Sequence, residues 1–141
     1  KELRGVVSKA VKAALKGETF TINGNDFPTA SGTTERDYTH LVDVVEANVL
    51  AVEKVISEKI AANINIASGD PKSVLDVIQM VQKLTGKEIT VETGERRMGD
   101  PTITHGIIDR AKELLNWKPT KTFEDMVKDE ISWQTKASNH K

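Results

Sequence analysis

Apolar residues recur at three- and four-residue steps in five stretches of the chain, which is the pattern of helices that bury one face. The predicted helices begin at about Val6, Asp43, Ser73, Asp109 and Thr122. Gly17 and Gly86 follow the first and third helices, as glycine commonly follows a helix end. The second helix is expected to end near Glu58 and the fourth at Leu115.

Three of these helices carry candidate capping residues at their starts. Ser73 and Asp76 have the spacing of a near capping box, and Thr122 and Asp125 repeat it. Asp109 is the candidate cap of the fourth helix. The residues expected on or near the inner sides of the second and last helices are Val44, Ala47, Val49–Ala51, Val55, Ile56, Phe123, Met126, Val127, Ile131 and Trp133.

Three short stretches alternate apolar and polar residues, as half-buried strands do. They lie at Phe20–Asn23, Asn63–Ala67 and Glu88–Glu92. The pattern predicts a helix-rich α/β fold with only three or four short strands. So few strands make a marginal sheet by themselves, which is a first indication of a missing partner domain.

Two long polar stretches, residues 24–40 and 93–106, interrupt these elements. The first carries Arg36 and the second carries Arg96 and Arg97, followed by Asp100. An arginine fork matches phosphate oxygens in pairs, and a carboxylate accepts hydrogen bonds from sugar hydroxyls. The loops therefore suit a small phosphorylated and hydroxylated ligand. The alternative is that the arginines form structural ion pairs with Asp37 and Glu95.

Composition narrows the class of protein. The 141 residues suit one domain, with 38% hydrophobic and 29% charged residues and a net charge of -1. This balance gives no sign of a nucleic-acid-binding protein. The chain has no cysteine, which excludes disulfides, and its histidines are too isolated to predict a metal site. No apolar run approaches the roughly 20 residues of a membrane span, and a cytoplasmic location is expected.

Several motifs in a fixed order resemble the C-terminal part of UDP-glucose 4-epimerases, which are extended short-chain dehydrogenase/reductase enzymes. The motifs are Phe20-Thr-Ile-Asn-Gly-Asn-Asp-Phe-Pro-Thr, Gly32-Thr33-x-x-Arg36-Asp37-Tyr38-x-His40-x-x-Asp43, Asn65-Ile66-Ala67-x-Gly69, Ser73-Val74-Leu75-Asp76-Val77, Arg96-Arg97-Met98-Gly99-Asp100-Pro101 and Leu115-Asn116-Trp117-Lys118-Pro119. The resemblance covers about residues 5 to 134. It implies a nucleotide-sugar-binding region over residues 1–134 and a disordered tail over 135–141.

The resemblance also implies a role for particular residues. Arg36 and Arg97 would hold the diphosphate of UDP, and Asp100 would bind the ribose. The strand residues Thr21, Ile22 and Asn23 would pass along the uracil, and Tyr38 and Val74 would line the nucleotide pocket. One departure is Ser31, which stands where the family usually has an acidic residue, and its hydroxyl can still make a local backbone bond.

The chain lacks two motifs that the resemblance requires of a complete enzyme. None of its nine glycines forms the Gly-rich turn of a dinucleotide site. Its one tyrosine, Tyr38, is followed four residues later by Val42, so the family's catalytic Tyr-x-x-x-Lys pair is absent. We therefore expect NAD to be bound by an absent N-terminal Rossmann domain, and this chain alone to be inactive. The resemblance implies that the parent enzyme inverts C4 of a UDP-hexose, and a homodimer of the parent is among the expected partners.

Other interpretations remain open at this point. The chain could belong to a related nucleotide-sugar decarboxylase or dehydratase, or be a non-catalytic nucleotide-sugar-binding module. A helical protein-interaction module would show no affinity for UDP. His40 and Asp43 lie one helical turn apart, but no nucleophile elbow accompanies them, so His40 is expected to be structural. Trp117 and Trp133 are expected to pack in the core or against another domain.

Overall fold

The computed structural model describes residues 5–59 and 61–138. Its elements, in chain order, are α1 (Val6–Lys16), β1 (Phe20–Asn23), β2 (Glu35–Arg36), α2 (Leu41–Glu58), β3 (Lys72–Ser73), α3 (Val74–Thr85), β4 (Val91–Gly94), α4 (Asp109–Leu115) and α5 (Phe123–Ser138). These five helices and few short strands confirm the helix-rich α/β class. No helix in these ranges is long and apolar enough to cross a membrane.

The region that we treated as one contains two compact units. The first unit comprises the residues up to Arg36, Lys72–Ile103 and those from Val127 onward. The second comprises Asp37–Pro71 and Thr104–Met126.

The first unit is built on α1, α3 and a pair of parallel strands. The two helices pack through small and β-branched residues, among them the fully buried Val11, Val77 and Val81. Strand β1 pairs with β4 in parallel, from Phe20 opposite Val91 to Asn23 opposite Gly94. The two strands therefore end at the same edge.

A second, very short ladder joins β2 to β3 in the first unit. The strands are antiparallel, with Glu35 opposite Ser73 and Arg36 opposite Lys72. Ser73 also caps α3, because its hydroxyl accepts from the Asp76 N–H at 3.0 Å while Asp76 accepts from the Ser73 N–H at 2.8 Å. The predicted capping box is confirmed, and it fixes where β3 turns into α3.

The second unit packs α2 against α4. Ala47, Ala111, Leu115 and Trp117 form its buried cluster, which confirms the core position expected for Trp117. Asp43 is 0% exposed and accepts hydrogen bonds from the Thr120 N–H and hydroxyl and from the Lys121 N–H, at 2.8–3.1 Å.

Local signals placed most helix ends correctly. The helix predicted from Val6 to before Gly17 is confirmed, and Gly17 adopts the left-handed conformation at its end. Thr122 and Asp125 exchange backbone and side-chain hydrogen bonds at 3.0–3.1 Å, as predicted. His40 caps α2 through Nδ1, which accepts from the Val42 N–H at 3.1 Å, so its structural role is confirmed.

Four expectations about element bounds were wrong. Helix α2 begins at Leu41, two residues earlier than expected, because the side chain of His40 supplies its cap. Asp109 is the first residue of α4 and not its cap. The last strand lies at Val91–Gly94, where it pairs with β1. Residues 63–67 form no strand, because no strand of the described residues pairs with them.

Expectations about buried faces also failed in two helices. Val49, Val55 and Ile56 of α2 are exposed, since their side of the helix has no partner among the described residues. In α5, Val127 is buried as expected, but Trp133 is 61% exposed. Helix α5 continues to Ser138, four residues into the expected tail, and residues 139–141 lie outside the described ranges.

Candidate functional site

The predicted nucleotide site maps to the carboxyl ends of β1 and β4 in the first unit. The ladder is extended by one bond, from the Gly24 N–H to the Gly94 carbonyl at 3.0 Å. Both arginine-bearing polar stretches therefore leave the sheet at one edge. Ligands of α/β proteins commonly bind in the crevice outside the carboxyl ends of parallel strands.

The first loop is held closed by its own hydrogen bonds. The Phe27 N–H donates to the Gly32 carbonyl at 2.9 Å, and the Thr29 hydroxyl donates to the Thr33 carbonyl at 2.7 Å. Gly32 has φ 71°, and a Cβ there would lie 2.4 Å from the Asn25 carbonyl oxygen, so only glycine fits.

Ser31 makes the local backbone bond that we expected of it. Its hydroxyl oxygen accepts from the Thr33 N–H at 3.2 Å and lies 2.8 Å from the Thr33 hydroxyl. Ser31, in place of the acidic residue that the resemblance predicts, therefore keeps the loop hydrogen-bonded to itself.

The second loop is shaped by a tight turn. The Asp100 N–H donates to the Arg97 carbonyl at 3.2 Å, and Gly99 has φ 78°. A positive φ at the third position is the requirement of a type II turn. The turn brings the backbones of Arg97 and Asp100 together, and the Arg97 side chain is exposed.

Arg36 from the first loop meets the second loop at Asp100. Its Nη2 forms a short, hydrogen-bonded ion pair with Asp100, and its Nη1 donates to the Glu35 carbonyl at 2.7 Å and to the Thr102 carbonyl at 3.5 Å. The Arg36 and Asp100 side chains are 23% and 25% exposed. A guanidinium has five N–H donors, so these bonds leave two for a ligand. The alternative that Arg36 pairs with Asp37 was wrong, because the carboxylate that pairs with Arg36 is that of Asp100.

Lys72 is a cation near this cluster that the sequence reasoning missed. The antiparallel register places it directly opposite Arg36. Directly opposed residues lie on one face of a ladder, and like charges there repel. A two-residue strand has no alternation to read, so only the three-dimensional pairing reveals Lys72.

Arg96 has a different environment from Arg97. Its guanidinium lies 3.9 Å from the centre of the buried Phe27 ring, a cation–π contact between the two loops. A Cβ on Gly24 would lie 3.1 Å from the Arg96 Cβ, which shows how closely the loops approach.

The remaining predicted site residues differ in how much of each side chain is buried and in the unit to which they belong. Ile22 and Val74 have buried side chains in the first unit, so they offer a ligand only their backbone or a small edge. The Thr21 hydroxyl donates to Glu92 at 2.7 Å. Asn23 is half-buried at the strand end. Tyr38 belongs to the second unit, where its ring centre lies 5.9 Å from that of Phe123.

Asp37 organises the second unit. Its carboxylate accepts from the Ser68 N–H and hydroxyl at 2.7 and 2.6 Å, and from the N–H groups of Gly69 and Gly106 at 3.1 Å. Desolvation by burial alone would raise the pKa of Asp37. The hydrogen bonds from Ser68, Gly106 and Gly69 outweigh it, so the pKa is lowered from 3.8.

An open cleft of about 460 Å³ lies in the second unit. Its lining residues are Asp37, Ile64, Asn65, Ile66, Ala67, Thr104, His105 and Gly106. The Asp37 oxygens in its wall are already filled by backbone and hydroxyl donors. The cleft therefore lacks a charged group ready to bind a ligand. No group of three or more metal-ligating side chains occurs in the described part of the chain.

Comparison with known proteins gives one family for most of the chain. A family model described as GDP-mannose 4,6 dehydratase matches residues 4–130. A UDP-glucose 4-epimerase of Bacillus subtilis is 36% identical over 127 residues, which cover 90% of this chain and 38% of that enzyme.

Solved structures agree with this match. A UDP-glucose 4-epimerase of Stenotrophomonas maltophila, with bound NAD and formylated UDP-arabinopyranose, has a TM-score of 0.94 and 28% identity over 99% of this chain and 42% of that one. The enzyme of Bifidobacterium longum, in complex with NAD⁺ and UDP, has a TM-score of 0.85 and 30% identity over 96% of this chain and 40% of that one. The chain thus spans about two fifths of these relatives and corresponds to their C-terminal part. The resemblance inferred from the motifs is confirmed.

The residues of this chain do not fit an NAD site of the kind that the fold family uses. The direct strand-to-helix junction, from β3 into α3, is capped by Ser73 and has no glycine. No two glycines of the sequence are two residues apart, as a Gly-x-Gly-x-x-Gly turn requires. We therefore assign no NAD contact to these residues.

Proposed function

Because the chain belongs to the family described as GDP-mannose 4,6 dehydratase, we propose that it supplies the nucleotide-diphosphate grip of a UDP-glucose 4-epimerase. In this proposal Arg36 and Arg97 bind the diphosphate of UDP-glucose or UDP-galactose. Asp100 binds the ribose.

The arrangement of Arg36, Asp100 and Arg97 supports the proposal most directly. One carboxylate, that of Asp100, pairs with Arg36, and the backbone turn that carries it also carries Arg97, whose side chain is exposed. In this proposal the two guanidinium groups come from two loops and meet at the diphosphate. Their charge exceeds that of Asp100 by one, before Lys72 is counted. An anion with several oxygens, such as a diphosphate, suits this excess of donors.

Asp100 has two functions in this proposal. In the structure it holds the Arg36 fork through one carboxylate oxygen, Oδ1. The second oxygen is then available to accept from a ribose hydroxyl. Arg36 keeps two N–H donors for phosphate oxygens, so it need not release Asp100 when the nucleotide binds.

The base would lie along the end of β1. The Ile22 side chain is part of the core, so its contact with uracil would use the main chain, whereas Thr21 and Asn23 can also offer side chains. The Val74 N–H donates to the Thr34 carbonyl at 3.2 Å, which leaves Val74 a packing role at most. We retain Tyr38 as a proposed pocket residue on the strength of the motif alone.

This grip would contribute to catalysis by anchoring the substrate far from the reacting carbon. Binding energy on the nucleotide can hold the substrate while the hexose changes orientation. NAD, bound elsewhere in the enzyme, would supply the hydride chemistry at C4. The residues of this chain would bind and orient the nucleotide, and we expect no turnover from them alone.

A second candidate is favoured by the description of the family model, which names a dehydratase acting on GDP-mannose. The same two arginines would then hold a GDP-sugar. Both candidates predict diphosphate binding, and they differ in the base. A non-catalytic nucleotide-sugar-binding module would have the same affinity without belonging to an enzyme.

Calorimetric titration of the chain with UDP, GDP and UMP tests the proposal. Arg36→Ala and Arg97→Ala are each expected to weaken UDP binding roughly tenfold to a hundredfold, since a hydrogen bond to a charged group contributes about 1.5–3 kcal/mol. Arg110→Ala is the matched control. Arg110 is an exposed arginine in α4 whose guanidinium donates to the Asn63 carbonyl at 3.0 Å, outside the proposed site.

The ligands separate the candidates. UDP binding tighter than UMP and GDP binding supports the epimerase grip, and tighter GDP binding supports the second candidate. If a folded chain binds UDP and UMP equally, or if Arg110→Ala weakens binding as much as Arg36→Ala, the diphosphate assignment is wrong.

A further inference from the structure

The two loops of the proposed site are joined by side chains at two places, and Arg97 lies between those places. On its C-terminal side, Asp100 pairs with Arg36 of the first loop. On its N-terminal side, the Arg96 guanidinium lies 3.9 Å from the centre of the Phe27 ring. The five-residue segment that contains Arg97 is therefore held by the first loop at both of its ends.

Phe27 is a fixed anchor for Arg96. Its side chain is 3% exposed. Its N–H donates to the Gly32 carbonyl at 2.9 Å, and its carbonyl accepts from the Thr29 N–H at 2.8 Å. The ring is thus held by packing and by the backbone of the first loop. A cation within about 6 Å of a ring centre is attracted to the ring face, and the Arg96 guanidinium is well inside that distance.

A close approach at Gly24 brings Arg96 to this ring. A Cβ on Gly24 would lie 3.0 Å from Phe27 Cε2 and 3.1 Å from Arg96 Cβ. The Gly24 N–H donates to the Gly94 carbonyl at 3.0 Å, just beyond the paired residues of β1 and β4. The contact between Arg96 and Phe27 therefore follows directly where the ladder of the two strands ends.

We propose that Arg96 is a positioning residue, which acts through Arg97 and does not itself bind the diphosphate; this inference rests on the proposed function. The contact of Arg96 with Phe27 and the ion pair of Asp100 hold the backbone of Arg97 before the nucleotide binds. Ordering a loop during binding costs affinity, and a loop that is already held avoids that cost. Arg96 thus increases the affinity of Arg97 for the diphosphate without touching it.

Two other roles for Arg96 make different predictions. A second phosphate contact would act independently of Arg97 and would not need the Phe27 ring. A side chain that only covers the ring would contribute to the free energy of unfolding and not to UDP affinity. Residues that act through one another have non-additive effects in a double-mutant cycle, whereas independent contacts add. A cycle between Arg96 and Arg97 therefore separates positioning from direct contact.

UDP titration of the chain and its variants is the test. Arg96→Met keeps a long apolar stem without the charge, and Phe27→Leu keeps a buried apolar side chain without the ring. Both are also made in an Arg97→Ala background. Arg110→Met is the matched control, because Arg110 is an exposed arginine in α4. Urea denaturation of each variant measures stability separately. If Phe27→Leu does not fold, the cycle with Arg96→Met at its exposed position decides the outcome.

Arg96→Met and Phe27→Leu are each expected to weaken UDP binding about two- to fivefold, the factor that corresponds to an exposed cation–π contact. Phe27→Tyr, which keeps the ring, should recover the affinity that Phe27→Leu loses. In the Arg97→Ala background, neither Arg96→Met nor Phe27→Leu should weaken binding further. Arg110→Met should bind UDP as the parent chain does.

Several results overturn the inference. A further loss of affinity when Arg96→Met is added to Arg97→Ala makes Arg96 an independent phosphate contact. Unchanged UDP affinity with a lower free energy of unfolding makes Arg96 a cover for the ring. In both cases Arg97→Ala still weakens binding, so the proposed function stands. If the folded chain does not bind UDP, or Arg97→Ala binds it as the parent chain does, the proposed function is wrong and this inference with it.

Discussion

The two units of the chain each contain a carboxylate that accompanies an arginine motif, and these carboxylates have different surroundings. In the second unit, Asp37 accepts four hydrogen bonds from Ser68, Gly69 and Gly106. In the first unit, Asp100 pairs with Arg36, which keeps donors to spare. Asp37 follows Arg36 directly in sequence and does not pair with it.

The difference distinguishes a structural carboxylate from one suited to a ligand. Backbone N–H groups are fixed donors. A carboxylate whose oxygens accept from them, as those of Asp37 do from Ser68, Gly69 and Gly106, holds three segments of the chain together. An arginine is a mobile, charged donor, and a carboxylate paired with it leaves net positive charge when a second arginine is near. The type of donor around each carboxylate is therefore more informative than its position in the motif.

The largest expected effect is a difference in the free energy of unfolding between variants of Asp37 and Asp100. Asp37→Asn places an amide donor against two N–H donors or against Ser68, and should lower the free energy of unfolding by about 2–3 kcal/mol. Asp100→Asn removes one partly exposed ion pair and should cost about 1 kcal/mol or less. Urea denaturation of both variants measures the contrast, and UDP titration should rank them in the reverse order. Equal losses of stability would remove the distinction between the two carboxylates.

The dependence of the free energy of unfolding on acid pH should be a smaller effect. Protonation removes the negative charge of a carboxylate, but the group can still accept hydrogen bonds. Burial of Asp43 would by itself raise its pKa, but hydrogen bonds from Thr120 and Lys121 and the nearby His40 outweigh this, so the pKa of Asp43 is lowered from 3.8, like that of Asp37. A lowered folded-state pKa stabilises the fold fully above the unfolded value. This contribution is lost as the pH falls through 3.8 toward the folded-state value.

The measurement is the free energy of unfolding between about pH 5 and about pH 3. Asp43→Asn and Asp37→Asn should each be less stable at the upper end and lose less on acidification than the parent chain. Asp100→Asn is the comparison variant. An acid response of Asp43→Asn as steep as that of the parent chain would mean that its hydrogen bonds do not stabilise the folded state.

Local sequence signals predicted the parts of the fold that local contacts determine. The capping box at Ser73, the αL end at Gly17 and the cap at Thr122 each involve atoms a few residues apart, and each was predicted correctly. The candidate site could be predicted only as a set of arginines and a carboxylate. The partner of Arg36 lies 64 residues away, and the closer candidate, Asp37, was wrong.

The failures have a common physical cause, which is that periodicity shows an apolar side without showing what covers it. Helix α2 has small residues such as Ala47 on one side and branched residues such as Val49 on the other, and the small side is the buried one. Asn63–Ala67 alternates like a strand, but a strand exists only with a partner.

The smallest expected effect is on UDP affinity when Lys72 is replaced. It tests whether a cation other than the arginines belongs to the proposed site. Lys72 lies opposite Arg36, so Lys72→Ala should weaken UDP binding by roughly threefold at low salt, and less at high salt where charges are screened. The free energy of unfolding should stay the same or rise by a few tenths of a kcal/mol, since a like-charge repulsion is removed. Lys112→Ala in α4 is the control, because Lys112 is an exposed cation in the second unit, 3.7 Å from Asp109. If both variants bind UDP more weakly than the parent chain by the same factor, the charge of the whole chain governs affinity. If only Lys72→Ala binds more weakly, the cluster around Arg36 includes a third cation, which separates it further from the neutral donors around Asp37.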